Sequence, residues 1–162
     1  MVAQDDDEVL ESRPPTLTDL LFLCQELNVQ GAQYIVIGGM AMIQAGFVRA
    51  TEDIDLLVEA SPENQEKIKR ALMKFPDQAV REIEPDDLDR YAVVRVADEI
   101  VVDLMKSACG IEYNAAKESV ICSTIQDVTI PFASPELLWR LKQTRREKDQ
   151  LDLLFLIRLF QL

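Results

Sequence analysis

Residues 34–58, YIVIGGMAMIQAGFVRATEDIDLLV, decide the fold. The stretch opens with an apolar run rich in β-branched residues, Tyr34 to Ile37, which predicts a buried strand. The glycine pair Gly38-Gly39 follows, and then a short apolar pattern that predicts a small helix. A second strand is predicted from Asp53 to Val58. We therefore expect two strands that are joined through a glycine turn and a helix.

Two carboxylates lie on one face of the second predicted strand. Side chains alternate along a strand, so Asp53 and Asp55 point to the same side, about 7 Å apart at ~3.3 Å per residue. Such a pair repels itself unless it shares a hard cation. Glycines before a helix expose backbone N–H groups at its positive end, which suits a phosphate. Together these features predict metal-assisted chemistry on a nucleotide, although a plain tight turn and a solvated strand end stay open as alternatives.

Length and composition indicate a single domain. A chain of 162 residues can bury one good core, and we expect the domain to span residues 16–162. Residues 1–15 are acidic, and we expect a solvated, partly disordered leader. No apolar run reaches the ~18 residues of a membrane span, and no signal-peptide pattern is present. Three cysteines without CxxC spacing indicate neither a disulfide framework nor a zinc site, so a cytoplasmic protein is expected.

Charge and the missing histidine exclude several classes of function. The net charge of −12 argues against nonspecific binding to duplex DNA, which depends on phosphate neutralisation by Lys and Arg. The sequence has no histidine, so catalytic systems of the Ser-His-Asp and Cys-His kinds and histidine–metal hydrolases are excluded. A general base must therefore be a carboxylate, a lysine, a tyrosine, a cysteine or bound water.

A third carboxylate, Asp103, interrupts an otherwise apolar strand pattern from Ile100 to Met105. A lone charge in that position is costly unless it is paired, hydrogen-bonded or bound to a metal. The preceding run from Tyr91 to Val96 and the short loop between the two runs predict a β-hairpin. Asp103 is therefore expected to join the Asp53 and Asp55 pair from another strand.

The remaining pattern predicts an α/β (α+β) fold, a small mixed β-sheet flanked by helices with the acidic site on one edge. Helix-start signals of the Ser-Pro-Glu type occur twice, and a further hairpin is expected near the C-terminus. The other predicted elements are helices at 19–27, 61–75, 111–117 and 137–162, a short strand at 78–83, and hairpin strands at 120–125 and 128–132.

These residues carry a resemblance to a known family. A hydrophobic residue and two glycines, a spacer of thirteen residues, Asp53-Ile54-Asp55-Leu56 and the later Val102-Asp103-Leu104 resemble the nucleotidyltransferase superfamily of DNA polymerase beta. Within that superfamily, the run GGMAMIQAGFVRATEDIDLLV is similar to the AbiEii-type bacterial group, often found as toxins of abortive-infection systems. The segment Lys142 to Leu153 is similar to that group's closing motif. The resemblance covers about residues 34–154.

The resemblance implies Mg²⁺-dependent transfer of a nucleoside monophosphate from a triphosphate such as ATP to a hydroxyl of a protein or RNA acceptor. Asp53 and Asp55 would hold two Mg²⁺ ions, for which Mn²⁺ is an alternative. Asp103 would bind the ion nearer the acceptor and could take the acceptor's proton. The residues implied in nucleotide binding are Gly38, Gly39, Arg49, Thr51, Lys142, Arg145, Arg146 and Lys148.

Several alternatives stay open at this stage. Arg49 and Thr51 are either ligand contacts or structural partners of the aspartates, and the basic run from Lys142 to Lys148 is either part of the site or a solvated helix face. We expect the segment from Lys142 to Asp152 to be helical and to fold back on the site. A catalytically weak nucleotide-binding or protein-interaction module is the alternative function. Its apolar C-terminal helix would then dock an antitoxin or a second copy, in a toxin-antitoxin or phage-defence setting.

Overall fold

The computed structural model describes residues 11–162. Residues 1–10 of the expected leader lie outside the described part, whereas residues 11–15 contact the domain. The Ser12 hydroxyl donates a hydrogen bond to the Asp98 carbonyl at 2.6 Å, and the Arg13 guanidinium pairs with Asp19 at 2.7 Å. No helix in this described part is both long enough and apolar enough to cross a membrane.

Helices and strands share the described chain, and their bounds are as follows. The α-helices are α1 Leu17–Gln30, α2 Gly38–Gln44, α3 Pro62–Leu72, α4 Asp87–Arg90, α5 Tyr113–Ala116, α6 Pro135–Leu141 and α7 Glu147–Phe160. The strands are β1 Tyr34–Ile37, β2 Asp53–Val58, β3 Val94–Ala97, β4 Val101–Met105, β5 Ser107–Ala108, β6 Ile111–Glu112, β7 Val120–Ile125 and β8 Val128–Ala133. Short 3-10 turns lie at Ala79–Glu82 and Lys117–Ser119.

Six strands form one mixed sheet in the order β3-β4-β2-β1-β8-β7. The pairs β1–β2, β3–β4 and β7–β8 are antiparallel, whereas β2–β4 and β1–β8 are parallel. A separate two-stranded sheet pairs β5 with β6. The predicted mixed α/β architecture and both predicted hairpins are therefore confirmed.

Strands β1, β2 and β4 lie in the core of the domain, and their buried side chains hold β2 and β4 in a fixed register. All four residues of β1 are buried, and the inward side chains of β2 and β4 are at most 3 % exposed. Helices α1 and α3 pack against each other, and α2 packs between the sheet and α6. Helix α6 in turn contacts α7, which brings the C-terminal segment to the site end of the sheet.

Helix starts follow the predicted capping residues. The Ser61 and Ser134 hydroxyls accept hydrogen bonds from backbone N–H groups three residues on, and a proline follows each serine at the first helical position. Helix α1 begins with a capping box, in which Thr16 and Asp19 each accept from the other's backbone N–H. These polar partners satisfy N–H groups that a helix start leaves unpaired.

The predicted strand at 78–83 is wrong, because the segment forms a 3-10 turn. The Asp98 carboxylate, only 2 % exposed, accepts hydrogen bonds from the backbone N–H groups of Asp77 and Ala79, both at 2.9 Å. Gln78 adopts a left-handed φ of 49°. A side chain from the β3–β4 turn thus satisfies the backbone groups that a neighbouring strand would have paired.

The predicted continuous helix at 137–162 is also wrong, since residues 142–146 separate α6 from α7. Within this break the Thr144 hydroxyl donates to Asp149 at 2.6 Å, and the Gln150 amide donates to the Thr144 carbonyl at 2.6 Å. The shared helix face expected for Lys142 and Asp149 therefore does not exist. The helix expected at 111–117 is shorter, because β6 occupies its first two residues.

The Asn64 side chain connects α3 to the residues just before β1 and just after β2. This contact gives a prediction for stability. Its amide is 3 % exposed and makes three hydrogen bonds, of 2.7 and 2.9 Å with the Gln33 backbone and 2.7 Å with the Glu59 carbonyl. Asn64→Ala leaves buried backbone groups unpaired, so the free energy of unfolding should fall by about 2–3 kcal/mol. Urea unfolding measures it. The neighbouring Gln65→Ala, which loses one hydrogen bond, should cost less than about 1 kcal/mol; equal losses would contradict the prediction.

Candidate functional site

Three aspartates meet on one face of the two central parallel strands. Asp55 on β2 lies in register with Asp103 on β4, and Asp53 lies two residues earlier on the same face. One carboxylate oxygen from each lies within 4.8 Å of the other two. Oxygen donors of this kind could hold a hard divalent cation. The predicted meeting of the three carboxylates is thus present in the structure.

Burial and mutual repulsion make these carboxylates hard to ionise together. Burial, and then the charges of Asp53 and Asp103, raise the pKa of Asp55 to about 7. Burial, and then the charge of Asp103, also raise the pKa of Asp53. Because a carboxylic acid favours its neutral form when it is desolvated beside like charges, the cluster is electrostatically unsatisfied without cations.

Arg95 on β3 is a cation of this site that the sequence analysis missed. Its Nε and Nη2 donate to the two oxygens of Asp103, both at 3.0 Å, and Nη2 also donates to Asp53 at 3.3 Å. The hydrogen bond to Asp103 raises the pKa of Arg95. The predicted hairpin was the feature of the sequence that could have placed Arg95 beside Asp103. With its three-residue loop at 97–99, however, the strand register differs by two residues from the observed pairing of Arg95 with Asp103.

The glycine pair meets a steric requirement of β2 and its approach loop. Gly38 has a left-handed φ of 67°, and a Cβ there would lie 2.8 Å from the Asp55 Cγ. A Cβ on Gly39 would lie 2.7 Å from the Cβ of Thr51. Gly38 lines the cleft beside the aspartates, whereas Gly39 lies outside it, against Thr51. Packing alone therefore requires both glycines, and their contact with a phosphate stays a prediction.

Arg49 and Thr51 lie outside the cleft and act as structural partners. The Arg49 guanidinium donates through Nε and Nη2 to the two oxygens of Asp152, at 3.0 and 2.9 Å. The Thr51 hydroxyl, 8 % exposed, donates to the Asp53 carbonyl at 3.0 Å. Thr51 thus has the structural role left open by the sequence, through the backbone of Asp53, whereas Arg49 pairs with Asp152 and not with Asp53 or Asp55.

The basic residues after α6 form the wall of the cleft opposite the aspartates. We call these two sides of the cleft the basic wall and the acidic wall. Lys142, Arg146 and Lys148 line it, whereas Arg145 is exposed and does not. The Lys142 Nζ lies 2.8 Å from Asp152, and the Arg146 Nε lies 2.9 Å from Asp149. These three cations face the aspartate cluster across the cleft.

Lys148 differs from its neighbours because it forms no ion pair with a carboxylate of residues 11–162. Its charge opposes the rise in the pKa of Asp53 and Asp55, but burial outweighs it. Lys148 is thus an exposed cation in the cleft lining that has no carboxylate partner among the described residues.

Two acids of α7 lie beneath the basic wall. The side chains of Asp149 and Asp152 are 3 % and 0 % exposed. Burial works to raise the pKa of Asp149, but hydrogen bonds from Arg146 and Thr144 and the charge of Lys142 outweigh it and lower that pKa. Asp149 thus stays ionised, and the ion pairs of both acids hold Lys142 and Arg146 in place.

The two walls enclose a cleft of about 620 Å³. Acidic residues of β2 and β4 form one side, basic residues of 142–148 form the other, and Met105, Leu138 and Leu141 add apolar surface. A cleft of this size and mixed lining is typical of sites for small molecules and cofactors. Its lining thus includes carboxylates that could bind a cation and basic side chains that could bind an anion.

Searches against protein-family models and against curated proteins found no match. The arrangement of the side chains therefore has to support the functional conclusion. The structure brings Gly38, Asp53, Asp55, Asp103, Lys142, Arg146 and Lys148 into one cleft, and leaves Gly39, Arg49, Thr51 and Arg145 outside its lining.

The raised pKa of Asp55 predicts how stability changes with pH. The ordinary value is 3.8 and the folded value is about 7. Stability in a chelator should therefore fall as the pH rises from about 4 to about 7, because in this range the unfolded state has released a proton that the folded state still holds. Asp55→Asn removes this penalty, so its melting temperature at pH 8 in EDTA should exceed the parent's by about 3 °C or more, with no gain at pH 4.

The exposed Asp77 provides the matched control for this measurement, since its carboxylate makes no hydrogen bond within the described residues. Asp77→Asn should leave the melting temperature unchanged at both pH values. A melting temperature of Asp55→Asn at or below that of the parent at pH 8 would contradict the expected repulsion.

Proposed function

We propose that this protein is a Mg²⁺-dependent nucleotidyltransferase with a fold of the DNA polymerase beta type. It transfers a nucleoside monophosphate from a triphosphate to a hydroxyl of a protein or RNA acceptor. The observation that carries the proposal is the pairing, in register, of Asp55 and Asp103 on parallel strands, joined by Asp53, opposite a basic wall. The resemblance of the motifs around these residues supports the same conclusion.

The donor set of the acidic wall suits the proposed metal. Three carboxylates with converging oxygens match the hard oxygen ligands that Mg²⁺ and Mn²⁺ take in proteins. Asp53 and Asp55 would hold two ions, and Asp103 would bind the ion nearer the acceptor. When bound, the two ions supply stabilisation of the attacking and leaving oxygens. The raised pKa of Asp55 indicates that the site favours a cation among its acids.

The basic wall would bind the triphosphate. Lys148 has no carboxylate partner among the described residues, so its ammonium group can bind a phosphate without breaking an ion pair. Lys142 and Arg146 are oriented by Asp152 and Asp149 and line the cleft. Fixed donors of this kind stabilise charge that develops on a transferring phosphoryl group. These residues therefore position the nucleotide across from the acids.

An interaction module is a second candidate, which one feature of α7 favours. Leu151, Leu154, Ile157 and Phe160 are 39–55 % exposed on this helix. Such a face suits a protein partner, either an antitoxin or a second copy. In that case the cleft would bind nucleotide weakly or not at all. The resemblance to abortive-infection toxins supports a cytoplasmic, bacterial defence setting for either candidate.

Calorimetry with ATP, CTP, GTP and UTP, each with and without Mg²⁺, tests the enzyme proposal. At least one triphosphate should bind in a Mg²⁺-dependent manner. Asp103→Asn should retain the fold and lose transfer of radiolabelled nucleotide to cellular protein or RNA by at least about a hundredfold, because it removes the group proposed to take the acceptor's proton. Absence of binding for all four triphosphates would reject the enzyme and favour the interaction module.

Lys148 and Arg145 form a matched pair for testing the basic wall. Lys148→Ala should raise the Kd for the Mg²⁺–triphosphate complex by about tenfold, since it removes one charge-assisted contact of about 1.4 kcal/mol. Arg145→Ala removes an exposed cation outside the cleft and should change the Kd less than about twofold. Melting temperatures should stay within about 2 °C in both variants. Equal effects of the two substitutions would place Lys148 outside the nucleotide site.

A further inference from the structure

Arg95 occupies the position between two carboxylates of the acidic wall. Both oxygens of Asp103 accept from its guanidinium, and the same Nη2 reaches Asp53. The Asp103 side chain is only 6 % exposed, so little of it faces solvent beside Arg95. A divalent cation that binds an oxygen of Asp103 must therefore share that carboxylate with the guanidinium or replace it.

We propose that Arg95 is an exchangeable counter-cation of the metal site, which holds Asp103 and Asp53 before a divalent metal enters and releases them when the metal binds. This inference rests on the proposed function, because it assumes that the three aspartates take a metal. It adds a positioning residue that the motifs do not contain.

Exposure and attachment explain why this guanidinium can leave. The Arg95 side chain is 60 % exposed, on the edge strand β3, and within residues 11–162 its side-chain hydrogen bonds all go to Asp53 and Asp103. Arg49 makes a similar two-bond contact with Asp152, but it is 15 % exposed and its Nη1 also donates to a backbone carbonyl. The first contact can be exchanged for water and the second is fixed in the interior.

Charge explains why a divalent metal ion would displace the Arg95 guanidinium from the carboxylates. A divalent ion interacts with each carboxylate about twice as strongly as a guanidinium at the same distance and effective dielectric constant. Two opposing cations within one small cluster also repel each other. The metal-free site is therefore stabilised by Arg95, and the metal binds more weakly than it would to the same acids alone.

Side-chain NMR tests the exchange directly. Spectra of ¹⁵N-labelled protein at pH 6.5 resolve arginine Nε–H groups, and Arg95→Lys identifies the signal of Arg95 by its loss. On titration with MgCl₂ the Arg95 signal should move or broaden into solvent exchange as metal binds. The Arg49 signal, from a contact of the same geometry on Asp152, should stay unchanged.

The affinity for Mn²⁺ provides the second measurement, with free and bound Mn²⁺ quantified by EPR. Arg95→Gln should bind Mn²⁺ at least about tenfold more tightly than the parent, because the competing cation is gone. Lys148→Gln removes the same charge from the cleft without a hydrogen bond to Asp103, and should tighten binding by clearly less. Weaker binding by Arg95→Gln, or an equal effect of both variants, would overturn the inference.

The two proposals fail in different ways. If Mn²⁺ binds the parent and the Arg95 signal does not respond to Mg²⁺, the exchange is wrong and the metal site stands. If neither the parent nor Arg95→Gln binds Mn²⁺, the metal site is wrong and the inference falls with it. Tighter binding by Arg95→Gln together with a responsive Arg95 signal supports both.

Discussion

Asp55 and Asp103 face each other across a parallel strand pair, and the repulsion between their carboxylates, one half-buried and one buried, constrains everything around them. The register of β2 and β4 fixes the pair, because the inward neighbours of both strands are in the core. The acids cannot separate by sliding, since a shift of one residue would turn apolar side chains to the cleft. Cations must therefore lie close to the acids. The chain supplies them from β3 and from the segment before α7.

The basic wall depends on a second, deeper set of charges. Asp152 is fully buried and receives Arg49 from the loop before β2 and Lys142 from the end of α6. This ion cluster ties the loop that leads into the acidic strand to the helix behind the basic wall. Breaking it would leave buried charges unpaired, which is strongly destabilising. Through Lys142, this ion cluster connects the lining of the cleft to buried charges beneath it.

Local pattern was sufficient to predict the elements that build the acidic wall. Strands Tyr34–Ile37 and Asp53–Val58 have the predicted bounds, because an apolar run and an alternation that leads into an apolar run specify strands in a short window. Side-chain hydrogen bonds decided what the pattern missed. The carboxylate of Asp98 replaced a predicted strand with a 3-10 turn, and Asp149 receives Thr144 within the helix break. Predicting that Arg95 pairs with Asp103 would have required the observed register of the β3–β4 hairpin, from which the predicted register differs by two residues.

The glycine pair and the acidic strand are linked by space as well as by sequence order. Asp55 fills the volume in which a Cβ of residue 38 would lie, and Thr51 does the same for residue 39. A glycine pair ahead of an Asp-x-Asp strand is therefore required even before any phosphate is considered. The same two glycines would suit a phosphate, so the sequence alone cannot separate these causes. Because the Asp55 carboxylate sits against the Gly38 backbone, whatever neutralises this acid is brought close to the start of α2.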